Sequence, residues 1–133
     1  MKSILFAVVF VISSAQASLA KEPLSNVAYI NDRLFAAAVG DQIRRNCDRI
    51  SARMLRVLAD ANRLKNHAVA LGYTEAEINA YVKNDAEKAK MKQRRDAYLA
   101  DNGALGQGAE AYCALGQAEI ARGSLIGSLL QAR

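Results

Sequence analysis

Tryptophan is missing from this 133-residue sequence, and proline and histidine occur once each. Cysteine occurs twice, and aromatics make up 6% of the chain. Each scarcity removes a class of function. Two cysteines cannot build a multi-disulfide scaffold or a cysteine-rich zinc site. One histidine cannot build a centre that needs several imidazoles. The cysteines do not form CxxC or CxxCH, so a thioredoxin-like motif and a haem attachment site are both absent. No GxSxG or GxGxxG element occurs either. What is present is ordinary for a folded domain: 52% apolar and 23% charged residues, too apolar for wholesale disorder.

The first twenty residues have the pattern of a secretory signal peptide. Lys2 provides the positive start, Ile4 to Ile12 is an unbroken apolar run, and Ala15-Gln16-Ala17 is a small-x-small cleavage pattern. Cleavage is expected after Ala17, with a second site after Ala20, leaving one helical domain over 21–133. The apolar run is too short to span a bilayer, which takes about 20 residues. The expectation is therefore a periplasmic protein with no transmembrane segment after processing. Loss of Lys2 leaves 17 bases against 13 acids, a net charge of +4. That is too small to argue for nucleic acid, and favours at most an acidic protein or an anionic envelope surface as partner.

The mature chain is rich in Ala, Leu, Arg, Lys and Glu, all good helix formers. No stretch alternates strongly enough to predict a sheet. The fold class expected is all-α, a bundle of four to five helices stapled by one disulfide. Helix A is placed over about Ser25–Asn46 and helix B over about Asp48–Leu71, continuous or broken near 46–51. Helix B has an apolar seam of Ile50, Met54, Val57, Ala61, Leu64, Ala68 and Leu71 in steps of four and three. Thr74-Glu75-Ala76-Glu77 is a capping box that opens helix C. Asp85 is the expected cap of helix D over about Ala86–Asp101, and helix E follows over about Ala109–Leu130. Three glycines inside helix E, at 116, 123 and 127, cost about 1 kcal/mol each relative to alanine. Close approach by a neighbour offsets such a cost; helix A is favoured over a second copy of helix E.

Few residues suggest chemistry. In an oxidising compartment, Cys47 and Cys113 are expected to form one structural disulfide. His67 falls on the polar side of helix B without a legible partner and is expected to be exposed. The acids are scattered, and those at 75, 77, 85 and 87 are explained by helix starts. No catalytic, metal-binding or cofactor-binding residue emerges, so a non-enzymatic protein without cofactors is expected.

Two basic features remain. Arg45, Arg49, Arg53, Arg56 and Arg63 share a narrow wedge if helices A and B are continuous, and a solvated face with internal ion pairs is the expected outcome. The segment 83–95 carries six bases against Asp85 and Glu87. Of these, Lys88, Lys92, Arg94 and Arg95 are the candidate partner-binding residues, for an acidic protein or an anionic envelope lipid.

The runs Asn46-Cys47-Asp48-Arg49-Ile50-Ser51-Ala52-Arg53 and Tyr112-Cys113-Ala114-Leu115-Gly116-Gln117 resemble a family of small exported alphaproteobacterial proteins classed as a domain of unknown function. That resemblance implies a periplasmic setting and supplies no activity. Three functions compete. The first is a non-enzymatic interaction module, chaperone- or inhibitor-like, for an acidic partner, as a monomer or weak homodimer. The second is a small-molecule carrier with an apolar cavity. The third is an enzyme whose site is assembled from residues far apart in sequence.

Overall fold

The computed structural model describes residues 21–133; the expected signal peptide lies outside the described residues. A single 3-10 turn at Leu24–Asn26 precedes α1, Ala28–Asn46. Then follow β1 at Ile50–Ala52, α2 at Met54–Ala70, α3 at Glu75–Lys83 and α4 at Asp85–Asp101. Helix α5 spans Ala109–Ala121, α6 is one turn at Leu125–Ser128, and β2 covers Leu130–Ala132. The domain is predominantly helical, with six α-helices and one disulfide among the described residues.

Helices A and B are not continuous. Cys47 is extended, and the chain enters β1, which pairs antiparallel with β2 in the register Ile50↔Ala132, Ser51↔Gln131 and Ala52↔Leu130. This ladder is a correction to the sheet-free expectation. Its strands are three residues long, too short for an alternating pattern to show. The ladder continues at both ends, where Arg53 N–H donates to the Leu129 carbonyl at 2.8 Å and Arg133 N–H to that of Arg49 at 2.9 Å. Ile50 is buried as the helical seam required, but from a strand.

Helix E is likewise corrected to two pieces. The chain turns at Gly123, whose φ of +63° is costly for any residue with a Cβ. Ser124 then caps α6, its side chain accepting from Gly127 N–H at 2.9 Å. At the start of α4 the cap is Asn84 rather than Asp85; its side chain accepts from Glu87 N–H at 3.0 Å. The Thr74 capping box forms as expected, with both reciprocal hydrogen bonds present.

The core is divided. The larger cluster joins Val39 and Ile43 of α1, Ile50 of β1, Leu99 of α4, Cys113 and Leu115 of α5, Ile126 of α6 and Leu130 of β2. A smaller one gathers Leu24, Ile30, Ala68 and Tyr73 around the start of α1 and the end of α2. Helix α2 spans the gap between them, and Ala68 is its single buried residue. Of the three glycines of helix E only Gly116 meets helix A: a Cβ there would lie 2.7 Å from Ile43 Cγ2 and closer still to Ile50 Cδ1, whereas Gly127 packs on α5 and Gly123 has no close neighbour.

Several carboxylates are held below their ordinary range. For Glu77 the chief cause is the hydrogen bond from the Thr74 backbone, followed by Lys21. Lys65 acts on Glu75, and Lys92 with Arg95 on Asp96. A depressed folded-state value means stability that is present above the unfolded value and lost as pH falls through the folded one. The melting temperature should therefore hold near neutrality and decline below about pH 4.5, the ordinary glutamate value. Thermal melts at stepped pH check this. A Glu77→Gln variant should show a shallower acid-side decline; an identical decline would remove Glu77 from the account.

Candidate functional site

The gap between the two core clusters is open. It forms an apolar cleft of about 250 Å³ between α1, α2, α3 and α6. Leu34, Ala37, Val57, Leu64, Ile78 and Leu129 are among its walls. The inner seam of α2 therefore faces a groove, because α2 touches the body near each end and stands off between. Three charged residues reach the lining: Arg33, Asp60 and Lys65. Asp60 pairs with Arg63 at 3.2 Å, and Lys65 with Glu75 at 2.6 Å. Arg33 has no ion pair among the described residues. Its guanidinium lies 3.8 Å from the centroid of the Tyr29 ring. That ring in turn contacts the His67 ring, with centroids 4.3 Å apart. His67 is thus half-buried against an aromatic, not exposed; the contact comes from α1, which the sequence of α2 could not show.

The expected disulfide is present, Cys47 to Cys113, with Cα atoms 5.1 Å apart. It fastens the end of α1 to α5. Among the described residues these two sulfurs and the Asp48 carboxylate form the one close grouping of metal-ligand atoms. With the sulfurs bonded to each other, no thiolate is offered to a metal.

A buried polar cluster escaped sequence reasoning. Glu119 of α5 is fully buried. Its carboxylate accepts from the Tyr98 hydroxyl, the Arg122 guanidinium and the Ser124 hydroxyl, with Arg122 Nε at 3.1 Å. Arg122 also donates to the Tyr98 oxygen at 2.6 Å. Burial, followed by the hydrogen bond to Glu119, raises the Tyr98 hydroxyl above its ordinary value of 10.0. The cluster joins α4, α5 and the turn before α6, and every side-chain group in it has a partner. It is closed to solvent at the carboxylate, so it holds helices rather than substrate. The one legible trace was Glu119 three residues before Arg122, a common helical ion-pair spacing.

A family model described as a family of unknown function, DUF5333, matches residues 22–131. The chain belongs to this family. No curated protein and no solved structure matches it. In this DUF5333 chain the candidate partner-binding residues of α4 do not form one free patch. Lys88 pairs with Asp85 at 3.2 Å, Lys92 with Asp96 at 2.5 Å and Arg95 with Asp96 at 2.7 Å. Arg94 reaches α1, pairing with Asp32 at 2.8 Å and lying 4.2 Å from the Phe35 ring centroid. The arginine wedge is split by β1: Arg45 pairs with Asp41, Arg49 with Glu110 and Arg63 with Asp60. Arg53 and Arg56 have no ion pair among the described residues. No helix of the described residues is long and apolar enough to cross a membrane.

Proposed function

We propose that this is a non-catalytic, exported carrier protein that holds a small amphipathic molecule, an acyl chain with an anionic head, in the cleft between α1 and α2. The apolar cleft carries this reading. Binding sites are commonly concave and apolar with a few placed polar groups, and here Arg33 is the placed cation. Apolar walls suit the chain; the unneutralised guanidinium suits a carboxylate or phosphate at the mouth. Export rests on the leader-like residues 1–17 and fits a domain held by a disulfide. An acidic partner on Lys88, Lys92, Arg94 and Arg95 draws less support, because each of those cations already has a carboxylate.

Titration calorimetry with dodecanoate, octanoate and dodecanol tests the reading. Each buried methylene is worth about 0.8 kcal/mol, so dodecanoate should bind clearly tighter than octanoate. Arg33→Gln should weaken dodecanoate on the order of tenfold, the worth of a charge-assisted hydrogen bond, and leave dodecanol unchanged. Ala61→Phe, which fills the cleft from α2, should abolish both. Equal binding by wild type and Ala61→Phe would place the ligand elsewhere.

A further inference from the structure

The first two turns of α2 carry apolar side chains on the side away from the cleft as well. At 100° per residue, Leu55 and Ala59 lie opposite Val57, Leu64 and Ala68, and Leu58 lies a quarter turn round on the same outer side. Met54 falls on the cleft side of Lys65, outside this sector. The exposures agree: Leu55 is 86% exposed and Leu58 57%. Leu55 is the most exposed large apolar side chain of the described residues. Further along, the same sector holds Asn62 and Asn66, which are uncharged, before Val69 restores an apolar surface. Arg56 and Arg63 flank the sector on one side and Lys65 on the other, and Arg53 precedes it. Residues 53–65 thus carry four cations, of which Arg63 pairs with Asp60 and Lys65 with Glu75 of α3. Asp60 lies toward the body, and Arg63 takes up its charge. Arg53 and Arg56 are exposed and have no ion pair among the described residues.

We propose that the outward face of α2, led by its first two turns, docks on an anionic lipid bilayer. An apolar patch with basic flanks is the composition that lies at a membrane interface, leucines entering the acyl boundary and arginines reaching headgroup phosphates. Asn62 and Asn66 bring no charge that would have to be dehydrated, so they sit at headgroup level while Leu55 and Leu58 enter. The shape favours lipid over protein. The patch is one convex helix face, whereas a stable protein interface needs roughly 800 Å² of matched surface on each partner. A bilayer requires no matched relief. The surface is independent of the cleft reading and stands whether or not the cleft holds a ligand.

The absence of tryptophan gives a direct test. Leu55→Trp and Leu58→Trp each install a sole indole on the proposed face, and Gln117→Trp installs one at an exposed position of α5 as control. The full-length gene is expressed, and the protein is recovered as the cell processes it. It is mixed with phosphatidylcholine vesicles, with or without phosphatidylglycerol, at low and high salt. Emission at 55 and 58 should shift to the blue with phosphatidylglycerol vesicles, revert at high salt and stay unchanged with phosphatidylcholine alone. The indole at 117 should not shift. Adding Arg53→Gln and Arg56→Gln should weaken vesicle binding by roughly thirtyfold, from the energy of two basic residues at an anionic surface. Three outcomes overturn the proposal. One is no shift at 55 or 58 with anionic vesicles. Another is a shift with polyglutamate but not with vesicles, which assigns the face to an acidic protein. The last is a shift that grows with protein concentration alone, which assigns it to a second copy of the chain.

Discussion

Removing the Cys47–Cys113 bond should lower stability by about 4 kcal/mol, the chain-entropy value for the 66-residue separation it closes. No other single feature of the fold is expected to exceed it. A domain of this length has a net stability of only about 5–15 kcal/mol, so the reduced protein should lie close to unfolding at physiological temperature. The effect is large because the two sulfurs join regions far apart in the chain: the end of α1 and the first turns of α5. Both cysteines are buried in the larger core cluster, so serine at both positions also leaves hydroxyls there without sulfur's apolar contacts. Urea titrations of the oxidised protein, the reduced protein and the double serine variant measure the difference. A reduced protein with an unchanged midpoint would show that α1 and α5 hold each other without the covalent link.

Gly127→Ala should cost about 3 kcal/mol, the upper end for an overpacked core. A Cβ there would stand 2.6 Å from Ile120 N and closer still to the Glu119 carbonyl carbon and oxygen. All three atoms are backbone, so relief requires α6 to move off α5 as a unit. That movement would disturb Ser124 and the Glu119 carboxylate it contacts. Gly116→Ala is the useful comparison. Its nearest obstacles are side-chain methyls, Ile50 Cδ1 and Ile43 Cγ2, which can be displaced without moving a helix backbone, so its cost should be about half as large. Helix propensity alone would make either change favourable by about 1 kcal/mol. A stabilised Gly127→Ala protein would therefore refute the close approach of α6 to α5.

Most of the helices were legible from local causes, although the caps at Asn84 and Ser124, equally local, were not. Thr74 and Glu77 cap each other within four residues, and the seam of α2 repeats over four turns. The other errors fell where distant partners decide. Ile50 fits the helical seam and is buried as that seam demands, yet β2 draws it into a strand. Gly123 and Gly127 look alike in sequence, but one reverses the chain and the other admits a neighbouring backbone. The cleft was foreseen as an option and could not be located, because it exists through the stand-off of α2 from the body. No periodicity records such a distance. Arg94 reads as a partner-binding candidate in sequence because its carboxylate, Asp32, lies on another helix. Arg33 drew no notice, since its significance lies in the carboxylate it does not have.

The ladder between β1 and β2 also divides the fold by sequence separation. The strand that fixes the entry to α2 pairs with residues 130–132, and the partner of Cys47 is Cys113. The smaller core cluster, which seats the end of α2 against the start of α1, draws only on residues 24–81, whereas the larger cluster and the ladder need residues 113–132. The larger cluster is therefore the non-local part of the fold, and pairing between segments far apart in sequence is what slows the folding of a small domain.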